Sequence, residues 1–318
     1  MSIDQVSRRE IIAGIAIAGG LGIAAQSAMS SPASSAAAAE GDAVRTPDAR
    51  GSRRQPAIYV PHGGGPWPFV DLGNFVPEKD VVTMRHYFET LPATLPEPPR
   101  ALLVISAHWE QPVPTVMTAT HPPMLYDYSG FPPEAYSIDW PAPGDPQLAQ
   151  RVIDLLRDAG ISSATDDRRG FDHGTFVPFK LSFPKADVPT IQLSLKRGLD
   201  PQEHIELGRA LRPLREEGVL ILGSGMSYHN MRGFFSGSAH DASVEFDDWL
   251  RAAATAPAQM RNSLLARWTD APRARDVHPR EEHLLPLMVI AGAAGDDVGR
   301  ITFNEDWMKV RISAVQFG

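Results

Sequence analysis

The sequence contains no cysteine. That absence excludes disulfides, thiolate nucleophiles and every metal site built on thiolates, so a bound metal has to rest on histidine and carboxylate. No run of Lys and Arg interleaved with aromatics appears, and the net charge is −8, so the chain lacks the basic footprint of a nucleic-acid binder. There is no Gly-x-Ser-x-Gly elbow, no Rossmann glycine fingerprint, no phosphate loop and no His-Glu-x-x-His helix, which sets aside the reaction classes those motifs serve. "HPREEH" comes nearest to the last of them, but its histidines are five apart with Pro279 between them. No apolar run reaches the ~20 residues that span a bilayer. No sustained interface pattern is readable, so the sequence does not speak to oligomeric state.

What is present begins with an address. Arg8-Arg9 precedes an apolar, Gly- and Ala-rich stretch from Ile11 to Ala25, and small residues such as Ala37-Ala38-Ala39 follow. A basic start, a short apolar middle and small residues describe an export signal. Ser-Arg-Arg-Glu-Ile-Ile resembles the twin-arginine type, which carries folded proteins out of the cytoplasm. The expectation is a signal over residues 1–39, a periplasmic destination, and membrane contact only through that signal. Residues 40–56 read as a flexible linker without periodicity, and residues 57–318 as one catalytic domain.

Within that domain, apolar runs alternate with amphipathic stretches. "AIYV" (57–60), "ALLVI" (101–105), "TIQLSL" (190–195), "GVLILG" (218–223) and "VRISAVQF" (310–317) read as strands. "DPQLAQRVIDLLRDAG" (145–160) puts Leu148, Val152, Leu155 and Leu156 on one helical face after an Asp-Pro start, and residues 200–218 behave alike. Strands that are apolar throughout and separated by helices predict an α/β fold with a central, mostly parallel or mixed sheet flanked by helices.

Histidines recur just beyond these strands: His62 after "AIYV", His108 after "ALLVI", and His229 after "GVLILG" across a Gly-Ser-Gly turn. Ligands of open α/β sheets bind outside the carboxyl ends of the strands, so imidazoles there converge. Gly63-Gly64-Gly65, Gly223 and Gly225 beside them would let backbone approach a ligand. His173 lies between Asp172 and Gly174, either oriented by Asp172 or capping the next element. Glu282 and His283 compete as a further ligand near a helix that opens at Pro279, although Pro286 fits only if it begins close to His283 or kinks there. Imidazoles with one carboxylate suit Zn(II) or Fe(II). Three protein ligands and an open position make a catalytic site, with spare histidines as acid and base. The segments around Tyr126, Asp127, Tyr128 and Phe131, with Trp67 and Trp109 nearby, are candidates for a pocket wall or for loop packing, and none receives a role.

The segments "VPHGGGPW", "LVISAHWE", "YDYSGFPPEAYSIDWPAPGDPQLA", "GFDHGTFVPFKLSFPKADVPTIQLSL", "GSGMSYHNMR", "EEHLLPLMVIAGA" and "ISAVQFG" resemble, in order, those of the class III extradiol ring-cleavage dioxygenases. The resemblance is to their DOPA 4,5-dioxygenase-like branch, related to the LigB-type subunit. It implies a single α/β domain, a mononuclear Fe(II) site, and a catechol-type substrate opened by O2 beside its two hydroxyls. It implies His62, His108 and His283 as metal ligands. It also implies His229 as the acid/base that takes a phenolic proton, near enough to be a fourth contact in a zinc-loaded resting state, and His173 as a second acid/base on the substrate side. More distant relatives use a glutamate as third ligand, which keeps Glu282 in view. The chain departs from the family's usual His-Gly-Ser-Pro at His62-Gly63-Gly64-Gly65-Pro66. Two other readings remain: an exported zinc-binding protein without turnover, and a metal-dependent hydrolase on the same histidines.

Overall fold

The computed structural model describes residues 54–73, 76–234 and 238–318; the expected signal and nearly all of the linker lie outside them. Eight strands form one mixed sheet: β1 (Ala57–Pro61), β2 (Ala101–Gln111), β3 (Thr115–Met117), β4 (Ala164–Asp166), β5 (Thr190–Lys196), β6 (Val219–Gly225), β7 (Gly299–Trp307) and β8 (Val310–Phe317). Their order is β4-β3-β5-β2-β6-β1-β8-β7. The central strands β5, β2, β6 and β1 are parallel, while β8 runs antiparallel to both β1 and β7. The central strands are buried nearly throughout, as expected of parallel strands covered on both faces.

The helices are α1 (Glu78–Thr90), α2 (Pro146–Asp158), α3 (His173–Ser182), α4 (Pro201–Leu211), α5 (His240–Ala254), α6 (Ala258–Ala266) and α7 (Leu285–Ala294), besides shorter turns. Asp145 caps α2 by accepting from the Leu148 amide, and Asp200 caps α4 through the Glu203 amide. The helical stretch expected over 200–218 is broken in two by Pro213, which has no amide proton to continue the ladder. Successive strand residues point to opposite faces. On β6, a Cβ at Gly223 would meet Ile290 and Pro286 of α7, whereas the Ser224 hydroxyl reaches the Gly174 carbonyl of α3. Helices α7 and α3 therefore cover opposite faces of the sheet.

Three local expectations give way. The strand carrying His108 runs on to Gln111, so this residue lies within the strand. Its pairing with β6 ends at Ser106, and β2 advances from Ile105 to Glu110 while β5 advances only from Leu193 to Leu195. The surplus bulges out of register and carries His108 with it. Gly223-Ser224-Gly225 is strand, not turn. Finally, the helix opens not at Pro279 but at Leu285, close to His283 as Pro286 requires; in the first turn a missing amide proton costs nothing.

Candidate metal centre

Each histidine of interest comes from a different part of the sheet's carboxyl edge. His62 follows β1, its amide bonded to the Gly225 carbonyl at 3.0 Å, so that β1 and β6 deliver it together. His108 rides the bulge of β2. His229 follows β6, its amide held by the Val277 carbonyl. His173 is the first residue of α3, and His283 lies in the turn just before α7. That turn rests on β6, where a Cβ at Gly225 would stand 2.1 Å from the His283 carbonyl oxygen. Four of the five glycines beside these histidines thus admit protein neighbours, while a Cβ at Gly64 would meet nothing within 4 Å. Gly223 and Gly225 seat the turn before α7; Gly63 makes room for the Trp67 ring and Gly65 for Phe131.

The five rings form one cluster. His62 Nε2 and His108 Nε2 are 3.1 Å apart. Ring centroids separate His62 from His283 by 5.2 Å, His108 from His283 by 4.9 Å, and His108 from His173 by 4.0 Å. His229 and His283 stack with centroids 3.3 Å apart and planes 15° from parallel. One donor atom from each of His62, His108 and His283 fits within 4.8 Å of the others. The His229 side chain is the most open, 18% exposed against 5%, 7% and 4% for His108, His173 and His283, so it faces the mouth.

The hydrogen bonds decide where the lone pairs point. Ser224 donates its hydroxyl proton to the Gly174 carbonyl, so toward His62 it can only accept. His62 Nδ1, 3.0 Å away, therefore carries the proton and leaves Nε2 as a lone pair. Glu282 Oε1 lies 2.9 Å from His283 Nδ1 and 3.1 Å from His229 Nδ1. A carboxylate only accepts, so both rings are protonated at Nδ1 and, when neutral, offer Nε2. His283 Nε2 is buried and has no partner.

Burial, followed by the neighbouring imidazoles, holds His62 and His108 well below the ordinary histidine pKa. Burial and then His229 bring His283 down to about 3. All three are neutral at pH 7, the form that binds metal. Burial opposes the charge of Glu282, but hydrogen bonds from His229 and His283 hold it well below the usual carboxylate range. His173 is the opposite case. Burial works against its charge, yet the Asp127 carboxylate, bonded to Nδ1 at 2.8 Å, raises its pKa overall.

A family model described as the catalytic LigB subunit of aromatic ring-opening dioxygenase matches residues 56–315. The chain belongs to the LigB family. Among similar proteins, the dioxygenase tasH of Hapsidospora irregularis is 35% identical over 83% of this chain and 85% of its own length. A 4,5-DOPA dioxygenase extradiol of Beta vulgaris is 42% identical over 66% of this chain and 78% of its own. Its namesake in Escherichia coli K12 is 34% identical over 76% and 86%. The crystal structure of an uncharacterized protein from Escherichia coli K12 superposes with a TM-score of 0.68 at 31% identity, covering 83% of this chain and all of that one. This LigB-family chain is a metal-dependent extradiol dioxygenase of the DOPA-dioxygenase-like branch, which opens an aromatic ring with O2. Neither a protein without turnover nor a hydrolase is favoured by these relatives.

The residues present fit a metal. Adjacent nitrogens about 2.1 Å from one cation stand roughly 3.0–3.4 Å apart, and His62 and His108 meet that spacing. The orphaned His283 Nε2 is a third lone pair that a cation would satisfy. Glu282 Oε1 faces the Nδ1 atoms of His229 and His283, while its Oε2 is buried without a hydrogen-bond partner, and Glu282 also groups with these two histidines as a set that could hold a metal.

Other expectations are redistributed. His173 is oriented by Asp127, while Asp172 faces away into a buried network with Ser106, Arg169 and Gln192. Trp67 belongs to the core and donates to the His62 carbonyl at 2.6 Å. Trp109 packs beneath the Arg169 guanidinium. Tyr128 stands edge-on to His173 at 5.8 Å and to Phe131 at 5.4 Å, an aromatic wall on one side of the imidazoles. Ser224 and Arg280 were given no part by sequence reasoning. Arg280 grips Glu110 with two bonds of 2.6 Å, tying the far end of β2 to the turn that carries His283.

Proposed function

We propose that the substrate is a catechol, that His62, His108 and His283 hold the metal, and that His229 and His173 handle the protons. The convergence of His62 Nε2 and His108 Nε2 with the orphaned His283 Nε2 carries the ligand assignment. The relatives named for DOPA support a catechol as the substrate class. We propose iron(II) as the working metal, with zinc(II) able to occupy the same nitrogens. When bound, iron(II) supplies a meeting point for the two catecholate oxygens and dioxygen and a path for electrons between them.

The chain's own share is proton handling, orientation and exclusion of water. His229, at the mouth, accepts a phenolic proton at Nε2 while Glu282 holds its Nδ1–H. His173 presents its Nε2 from the other flank, backed by Asp127. Tyr128 and Phe131 pack against the substrate ring. A ring carbon–carbon bond beside the hydroxyls breaks, and both atoms of O2 enter the product.

The test is anaerobic loading with Fe(II), followed by a panel of catechols and then oxygen. The expected result is a coloured ring-opened product that requires Fe(II) and vanishes in His229→Ala. A loaded protein that leaves the whole panel unchanged overturns the catechol reading. Full metal retention in both His62→Ala and His108→Ala overturns the ligand assignment.

The proposal extends to residues 1–39 as a twin-arginine signal for the periplasm, 40–56 as linker and 57–318 as the catalytic domain. Cell fractionation and the terminal residue of the mature protein test it. Retention of full-length protein in the cytoplasm overturns it.

A further inference from the structure

Asp127 sits in the segment Tyr126-Asp127-Tyr128, between β3 and α2. The two flanking tyrosines fix that segment: the Tyr126 hydroxyl donates to the Ile138 carbonyl at 3.0 Å and the Tyr128 hydroxyl to the Ala135 carbonyl at 2.6 Å. With both neighbours tied down, the Asp127 carboxylate has little freedom to turn. One of its oxygens, Oδ1, receives two bonds from a single residue, the His173 amide at 3.0 Å and His173 Nδ1 at 2.8 Å. The other, Oδ2, is buried without a hydrogen-bond partner and lies 3.7 Å from His108 Nδ1. A buried carboxylate oxygen left unpaired is costly, and the far nitrogen of a proposed ligand imidazole stands beside it.

We propose that Asp127 is a positioning residue for both rings: Oδ1 fixes His173 as the Nδ1–H tautomer with Nε2 toward the substrate, and Oδ2 receives Nδ1–H of His108, leaving His108 Nε2 for the metal. The proposal rests on the assignment of His108 as ligand and His173 as proton carrier. One carboxylate then links the metal to the proton-carrying flank, as Glu282 does for His283 and His229. Imidazole ligands whose outer N–H is held by a carboxylate are fixed in tautomer and direction, and losing that partner costs about 10–100-fold in metal affinity or activity.

Two substitutions separate the two oxygens. Asp127→Ala removes both. Asp127→Asn has the same shape, and its amide oxygen can still accept both His173 bonds. Its NH2 then faces His108 Nδ1 and can only donate, which drives the His108 proton onto Nε2 and blocks the metal lone pair. The His173 tautomer is read by nitrogen-15 NMR on the metal-free protein, and Fe(II) or Zn(II) affinity by competition with a chromophoric chelator. In Asp127→Asn we expect His173 to keep the Nδ1–H tautomer and metal affinity to fall about 10–100-fold. In Asp127→Ala we expect His173 to lose its tautomer preference as well. A wild-type His173 tautomer in Asp127→Ala, or wild-type metal affinity in Asp127→Asn, overturns the proposal. Both readouts are taken without substrate. If the wild-type protein binds metal but opens no catechol, the functional reading fails while the tautomer result still decides the role of Asp127.

Discussion

His229 and His283 stack face to face at 3.3 Å, and a single carboxylate oxygen of Glu282 holds the Nδ1 of both. The two rings share an anchor yet differ in setting: His283 is buried with Nε2 unpartnered, and His229 faces the mouth. Their substitutions should therefore separate. His283→Ala should lose tightly bound metal. His229→Ala should keep it and lose about 10²–10⁴-fold in turnover, the usual worth of a positioned acid or base. Metal content and single-turnover rates of the two variants check this, and equal metal loss in both would argue against the division of labour.

Glu282→Gln should damage both functions at once. The amide oxygen can stand where Oε1 stands and still accept from both Nδ1–H groups, but it is neutral, and hydrogen bonds to an uncharged acceptor are roughly half as strong. Metal affinity is expected to fall about 10–100-fold, with turnover falling further than affinity. Chelator competition and rate measurement at saturating metal separate the two losses. If Glu282 were itself a ligand, Gln would remove the metal and leave no saturable activity.

Gly174 lies in the first turn of α3, where a Cβ would stand 3.0 Å from Ser106 Oγ, 3.1 Å from His108 Cδ2 and 3.2 Å from Asp172 Oδ1. Gly174→Ala should therefore push the His108 ring and cost about 1–3 kcal/mol of stability. The measurable signature is weaker metal binding in a protein that still folds cooperatively by thermal melting. Unchanged metal affinity would mean that the ring yields without leaving its place.

His278 supplies a pH test away from the proposed ligands. It is buried between Phe246 and Trp268, with Nε2 on the Ser227 carbonyl at 3.0 Å. Burial, then His229, brings its pKa down to about 3, below the roughly 6.5 of an unfolded chain. Between those values the unfolded state holds a proton that the folded state refuses. The stability contributed by neutral His278 is complete above about pH 6.5 and is lost as pH falls toward 3. In His278→Gln the slope of unfolding free energy against pH should drop by about one proton, roughly 1.4 kcal/mol per pH unit. Urea unfolding of the metal-free protein between about pH 4 and 6 measures it, and an unchanged slope would contradict the burial argument.

Much of this molecule is written in local pattern. The apolar runs at 57–60, 190–195 and 310–317 are strands within a residue or so, and the Asp-Pro starts at 145 and 200 are helix caps. His62 and His108 stand out because a strand's end is where a ligand belongs in this fold class. Strand β7 escaped notice because its hairpin with β8 turns through Met308 and Lys309, both with positive φ, where Asn-Gly is the usual signal. Ser224 and Asp127 are tertiary facts. Ser224 matters because Gly174, fifty residues earlier, takes its proton, and Asp127 because His173, 46 residues later, bonds to it. No spacing rule announces either one. Gly63, Gly65, Gly223 and Gly225 make room for protein and Gly64 alone borders open space, a difference no sequence shows, since a glycine beside a site looks the same whether ligand or protein fills the space.

The delivery of each imidazole by a different strand end or helix start also has a kinetic consequence. His62 and His108 are 46 residues apart in the chain, and closing a loop of that length alone costs about 3 kcal/mol of entropy. His173, His229 and His283 come later, each after another crossover. A partly synthesised or partly folded chain therefore offers no pair of nitrogens at chelating distance. Metal capture is therefore expected only after β6 has slotted between β1 and β2, and metal release on unfolding should coincide with loss of the whole sheet.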